Sequence, residues 1–184
     1  MNLVEEKNRK EVLIQFGFPQ EFLEAIDAIK SIDKSLSYVM NYPKGAYYYL
    51  PTIANYSIYK GYKVVPICDS GQGDSFYTFL FNDTEQKIIY NEIERDEVYA
   101  NFGLNTNALI ATLLIEYYDL MDDEEVEDRV SVVERISEIG FKLGVDKEIT
   151  SNFMQRVFDA EDQAEDRFSH SRKWFGENIV PLLK

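Results

Sequence analysis

The segment Asp69-Ser70-Gly71-Gln72-Gly73-Asp74 packs two acids, a hydroxyl and two glycines into six residues, directly after Cys68. Three chemistries are conceivable for such a loop. Glycines beside a hydroxyl can cradle a phosphate, but this run does not close on Lys-Ser/Thr and no helical pattern follows it. Two carboxylates five apart can hold a cation, yet an EF-hand loop needs acids at alternate positions and a closing glutamate, which are lacking. A nucleophile needs a base beside it. The sole histidine, His170, lies in the charged run Ser169-His170-Ser171-Arg172, which reads as a solvated helix surface. A Cys68–His170 pair has no support, and Cys68 in its apolar strand reads as a buried, inert thiol. No catalytic residue, metal ligand or cofactor site is therefore expected, and the glycines are expected to serve positive backbone angles.

Three further acidic runs are candidates for docking a basic partner. Glu92, Glu94, Asp96 and Glu97 follow a strand pattern. Asp119, Asp122, Asp123, Glu124, Glu125, Glu127 and Asp128 crowd a junction between helices. Asp159, Glu161, Asp162, Glu165 and Asp166 stud the last helix. Like charges this close oppose helix formation unless solvated, so they face outward. Acids at a helix N-terminus also favour the dipole, which gives the second run a purely structural reading as well.

These residues are positioned by a helical entry, a strand-rich middle and a helical exit. Residues 2–15 carry a moderate helical pattern, and Gly17 and Pro19 punctuate it. Phe22, Leu23, Ile26 and Ile29 mark an apolar helix stripe ending near Asp33. Ala46–Leu50 reads as a short strand. Tyr62–Ile67, Ser75–Phe81 and Lys87–Ile93 read as three strands, the last two joined by the hairpin turn Asn82-Asp83-Thr84-Glu85. Short turns between consecutive strands imply an antiparallel meander. Pro66 cannot donate to a ladder and belongs at an edge, a strand end or a bulge. Leu109, Ile110, Leu113, Leu114, Tyr117 and Tyr118 form a wide helical stripe behind an N-cap at Asn105 or Thr106. Val126, Val130, Val133 and Ile136 continue at helical spacing to Leu143, with Gly144 as the stop. Asp146 opens a last long helix through Ile149, Phe153, Val157, Ala164 and Phe168. The expected class is α+β: a mainly antiparallel sheet flanked by N-terminal and C-terminal helices in a single domain, residues 1–184.

Composition narrows the function. The chain has 184 residues, 45% of them hydrophobic and 14% aromatic, enough for a real core. Thirteen tyrosines suit half-buried sheet faces and protein interfaces equally well. Thirty-three acidic against nineteen basic residues give a formal charge of −14. Such a surface repels phosphate backbones, so direct nucleic-acid binding is not expected. It attracts a basic protein and speeds the encounter, though acidity also serves solubility alone. One cysteine excludes an internal disulfide, and no leader or membrane-spanning run is visible. The expected location is the cytoplasm.

The segment from Tyr62 to about Asp119 resembles the SUKH superfamily. The resemblance is carried by Val65-Pro66-Ile67, the Gly71-Gln72-Gly73-Asp74 turn and the aromatic strand Phe76-Tyr77-Thr78-Phe79-Leu80-Phe81. Lys87-Ile88-Ile89-Tyr90 leading to Glu94, Val98-Tyr99-Ala100-Asn101-Phe102-Gly103 and the helix Leu109–Tyr118 also match, and Pro19-Gln20-Glu21-Phe22-Leu23 is similar to the opening helix. Bacterial members are largely immunity proteins of contact-dependent and polymorphic toxin systems; fungal relatives include a cell-wall assembly regulator. The matching core spans about 19–120, and about 122–184 forms a helical extension. The Asn-Gly that usually closes the opening helix has no counterpart between Ile32 and Pro51. The resemblance implies an α+β fold that binds rather than catalyses.

The expectation is a non-catalytic immunity protein that occludes the active site of a cognate toxin domain, a basic nuclease-type domain being the best charge match. It is expected as a monomer or weak homodimer with no membrane partner. Asp69, Asp74, Glu92, Glu94, Asp96 and Glu97 are the candidate acidic contacts, and Tyr56, Tyr59, Tyr77 and Tyr99 the candidate aromatic anchors. The competing readings are a regulatory or scaffold module of the same fold, and a small hydrolase built on the Asp69–Asp74 loop.

Overall fold

The computed structural model of the chain describes residues 1–71, 73–122, 128–163 and 172–183. The fold is α+β, with a five-stranded, mostly antiparallel sheet preceded and followed in sequence by helices. Its residues group into two compact units, Met1–Thr106 and Asn107–Lys184, so the helix beginning at Thr106 groups with those after it. Among the described residues, no helix is long and apolar enough to cross a membrane.

The first unit holds the sheet, in the order β1 (Asn2–Leu3), β2 (Lys63–Asp69), β3 (Ser75–Phe81), β4 (Gln86–Glu92) and β5 (Ala100–Gly103). Only β1 pairs in parallel, with β2. The three central strands and their turn match the sequence reading to within two residues at their ends. In the turn, the Asn82 side-chain oxygen accepts from the backbone N–H of Thr84 and Glu85, the local bonding that favours asparagine there. Residues 2–15 are less regular than a single helix: β1 and a 3-10 turn at Glu6–Asn8 precede α1 (Arg9–Gln15). The apolar stripe becomes α2 (Gln20–Asp27) and α3 (Ile29–Ile32).

Ala46–Leu50 is not a strand but lies in α4 (Lys44–Tyr49) and its C-cap. Three adjacent tyrosines carry strand propensity, but Pro43 precedes the first turn and a distant carboxylate, Asp69, accepts from its N–H groups. Helical spacing then seats Ala46 and Leu50 together against Tyr59, Val64, Phe76, Leu80 and Ile89 in one buried cluster. On the opposite face of the sheet, Phe16 and Phe18 of the α1–α2 segment pack on Phe79 with ring centroids 4.8 and 5.4 Å apart.

Strand β2 is irregular at Pro66. The register with β3 shifts between Pro66 and Cys68, so one extra residue is inserted, as the proline demanded. Because strand faces alternate, that single slip turns Asp69 onto the face of Phe76, toward α4. The other edge of β2 is covered in three pieces. Leu3 and Asn2 of β1 pair with its start. Arg9, only 1% exposed, donates to the carbonyls of Pro66, at 2.9 Å, and Ile67. Asn41 and Asp69 then exchange backbone bonds of 2.9 and 3.0 Å. The buried guanidinium also meets Asp27 at 3.2 Å and lies over the Tyr42 ring.

The second unit is helical: α5 (Thr106–Asp122), α6 (Arg129–Lys142), α7 (Lys147–Gln163), α8 (Arg172–Asn178) and a 3-10 turn, Val180–Leu183. Asp128 caps α6 and Asp146 caps α7. Gly144, at φ +87°, ends the α6 region as its position implied. The inward stripe of α6 differs from the expected one. Val132, Ile136, Ile139 and Leu143 are buried, whereas Val130 is 67% exposed. The helix is rotated so that Gly140, whose missing Cβ would lie 2.7 Å from Thr150 Oγ1, lets α7 approach closely. Val126, Ala164, Phe168, His170 and the acids Asp123, Glu124, Glu125, Glu127, Glu165 and Asp166 lie outside the described residues.

Replacing Arg9 with Met leaves two β2 carbonyls buried without a donor, and a loss of about 3 kcal/mol is expected in urea unfolding. Arg9→Lys restores only part, because one ammonium cannot reproduce the fork geometry. A loss below about 0.5 kcal/mol for Arg9→Met would show that the guanidinium does not hold this edge.

Candidate functional site

The carboxyl-terminal end of β4 gathers five of the six candidate acidic contacts, all but Asp69. Ser75 pairs with Glu92 across β3 and β4, and the Ile93 N–H donates to the Asp74 carbonyl at 2.9 Å. This places Asp74 beside Glu92–Glu94. The loop then runs through Arg95 and Glu97, which pair at 3.7 Å, into β5. Asp74, Glu94, Asp96 and Glu97 are exposed and Glu92 is half-buried.

Two contacts fasten that acidic loop to the segment after α4. The Tyr56 hydroxyl donates to the Ile93 carbonyl at 2.8 Å. The Asp96 carboxylate accepts from the backbone N–H of Ser57 at 2.7 Å and Ile58 at 3.1 Å, capping the 3-10 turn Ser57–Tyr59. Those N–H bonds, Ser57 first, hold the Asp96 carboxyl below the usual range. Tyr49 stacks on Phe76 and meets Tyr48 edge-on at 4.9 Å, and Tyr48 projects with 73% of its surface exposed. The arrangement is a fixed acidic rim with half-buried and exposed tyrosines, the composition that recurs in protein–protein contacts.

Not every predicted residue joins it. Asp69 is buried, with both oxygens engaged: Gly45 N–H donates to Oδ2 at 2.6 Å and Ala46 N–H to Oδ1 at 2.9 Å. It fastens α4 to β2 and offers nothing to a partner, because the bulge turned it inward. Burial pushes its carboxyl up to about 6, against the pull of the Ala46 and Gly45 N–H groups and of Arg9.

The four tyrosine anchors also separate. Tyr59 is fully buried and donates to Asn91 Oδ1 at 2.7 Å. Tyr77 is 1% exposed and packs at a tilt against Tyr90, on the sheet face opposite Phe76 and Asn91. Tyr99 joins that second face through Tyr90, with centroids 6.3 Å apart. Tyr56 packs beside the acidic rim, and the Tyr99 hydroxyl reaches it as well, meeting Glu92 and Arg95. Tyr48 and Tyr49 were missed because their run reads as a strand; the helical spacing of Ala46 and Leu50 was the available signal.

The glycine loop has a packing role beyond its turn. Gly73 does sit at φ +76°. Gly71, however, lies against Tyr38, where a Cβ would fall 1.8 Å from the carbonyl oxygen, and a Cβ on Gly45 would fall 2.4 Å from the Gly73 carbonyl oxygen. Cys68 is buried. Among the described residues, no group of three or more His, Cys, Asp or Glu side chains is arranged to hold a metal.

Comparison with known protein families, curated proteins and solved structures finds no match to this chain.

Two outcomes test this geometry. Asp69 ionises at about 6 in the folded chain against 3.8 as an ordinary carboxyl, so the unfolded chain loses its proton first. Stability contributed by this proton is present below about pH 4, is lost as pH rises to about 6 and is constant above that. Urea unfolding of the wild type relative to Asp69→Asn should show that decline; a difference that rises with pH over the window contradicts it. Separately, Gly71→Ala is expected to cost more than about 2 kcal/mol through the clash with Tyr38. Gly73→Ala, strained but with open space, is expected to cost about 1 kcal/mol. The reverse ranking of unfolding midpoints would refute the packing role of Gly71.

Proposed function

We propose that this chain is a cytoplasmic, non-catalytic immunity protein that binds a cognate toxin domain and neutralises it by covering its active site or substrate groove. The observation that carries this reading is the acidic rim of Asp74, Glu92, Glu94 and Glu97 beside Tyr48, Tyr49 and Tyr56, held rigid by the Asp96 and Tyr56 contacts. The sequence resemblance to the SUKH superfamily supports it from a separate direction. A partner of basic character fits both the rim and the formal charge of −14, and a nuclease domain, which must itself attract phosphate, is the class that charge complementarity favours.

Energy and rate divide between the two kinds of residue. Exposed carboxylates at a rim steer association and contribute little to the bound state, whereas aromatic rings desolvated at the centre slow dissociation. Tyr48 and Tyr56 are the anchors in this scheme. A regulatory or scaffold module would use the same surface for a partner unrelated to toxins, and the two readings part on partner identity.

Co-expression with the product of the adjacent gene tests the proposal. Growth rescue and a stable complex are expected, and absence of both sinks it. Within such a complex, Glu94→Lys combined with Glu97→Lys should lower the association rate about tenfold at low salt, with the difference vanishing at high salt. Tyr48→Ala should act mainly on dissociation. An association rate indifferent to both charge reversals would exclude the acidic rim as the docking surface.

A further inference from the structure

A cavity of about 560 Å³ opens within the first unit, bounded by the α2–α3 junction, the Asn41–Lys44 segment and the turn after β2. That volume lies in the range of small-molecule sites. Its charge runs against that of the protein as a whole. The two carboxylates in its lining, Asp27 and Asp69, are already engaged: Asp27 by Arg9 at 3.2 Å and Lys10 at 2.5 Å, Asp69 by the Gly45 and Ala46 N–H groups. Lys30 and Lys44 line the same cavity, and neither ammonium has a hydrogen-bond or ion-pair partner among the described residues. Gly73 completes the wall with nothing within 4 Å of the place a Cβ would occupy, so that side of its backbone is open to a ligand.

Two unpaired cations, beside an Asp27 paired with Arg9 and Lys10 and an Asp69 hydrogen-bonded to backbone, stand out in a chain of formal charge −14. We propose that this cavity binds a small polyanion bearing phosphate or carboxylate groups, held between Lys30 and Lys44. An ammonium is a compact three-donor charge that suits either group, and the volume leaves room for an organic body larger than a bare oxyanion. The site adjoins the docking face, since Gly73 precedes Asp74 and Lys44 opens the helix that carries Tyr48 and Tyr49.

The test is a titration of the full chain with inorganic pyrophosphate and, separately, citrate, followed by backbone amide shifts at low ionic strength. Saturable shifts are expected at Lys30, Ser31, Asn41, Lys44, Ser70 and Gly73. Lys30→Ala combined with Lys44→Ala should weaken binding at least about tenfold for each charge-assisted bond lost, with an unchanged far-ultraviolet spectrum since both lysines are exposed. A Lys7→Ala, Lys60→Ala pair serves as the control and should bind as the wild type does. Tighter binding of pyrophosphate assigns the site to phosphates, tighter binding of citrate to carboxylates. Linear, unsaturable shifts spread over surface lysines, or equal affinity in the Lys30/Lys44 double variant, would overturn the proposal.

Discussion

At Pro66 strand β2 loses a backbone donor and gains an extra residue, and the surrounding chain is arranged to accommodate both. The partner strand β1 reaches only to Val64, so the carbonyls of Pro66 and Ile67 would be left at an uncovered edge. Arg9 meets them with its guanidinium, and Asn41 resumes the pairing at Asp69. Burying a cation so completely is unfavourable unless it is well partnered, and each of the three Arg9 nitrogens donates once, to Pro66, Asp27 or Ile67. The same bulge rotates Asp69 under α4, where its carboxylate replaces the capping side chain that α4 lacks. One local irregularity thus fixes α1, α4 and the glycine loop against the sheet.

The acidic rim depends on that frame at one remove. Asp69 sets α4, α4 sets Tyr48 and Tyr49, and the segment that follows supplies the Ser57 and Ile58 N–H groups that hold Asp96. The first and last of these steps are carboxylates accepting from backbone at the start of a short helix or turn. The device is economical in a chain this acidic: some carboxylates organise backbone, and those left over face solvent.

The parts of the fold governed by near neighbours were legible in the sequence. The aromatic run Ser75–Phe81, the side-chain chemistry of Asn82 and the cap at Asp146 act within a few residues and are legible in the sequence, whereas Asp128 stands there only as one acid of a run. The failures have a common cause in long-range partners. Nothing beside Ala46 announces that Asp69 will cap its helix, so three tyrosines prevailed and a strand was expected. Nothing beside Arg9 announces the carbonyls of Pro66 and Ile67. The candidate site suffered most from the bulge: a proline in β2 implied an irregularity, but its one-residue shift decides whether Asp69 points outward or under α4. Tyr59, in a 3-10 turn, and Tyr77, in β3, are indistinguishable by type from Tyr48 of α4, and burial tells them apart.

The central claim is that a basic protein docks on the acidic, tyrosine-bearing end of the sheet. Hydrogen–deuterium exchange on the complex with the adjacent gene's product measures this most directly, because it reads the footprint without altering a residue. The predicted result is protection of 46–58 and 92–99 on complex formation, with the second helical unit unchanged. Protection confined to the helices after Asn107, with these two segments exchanging as in the free chain, would contradict it.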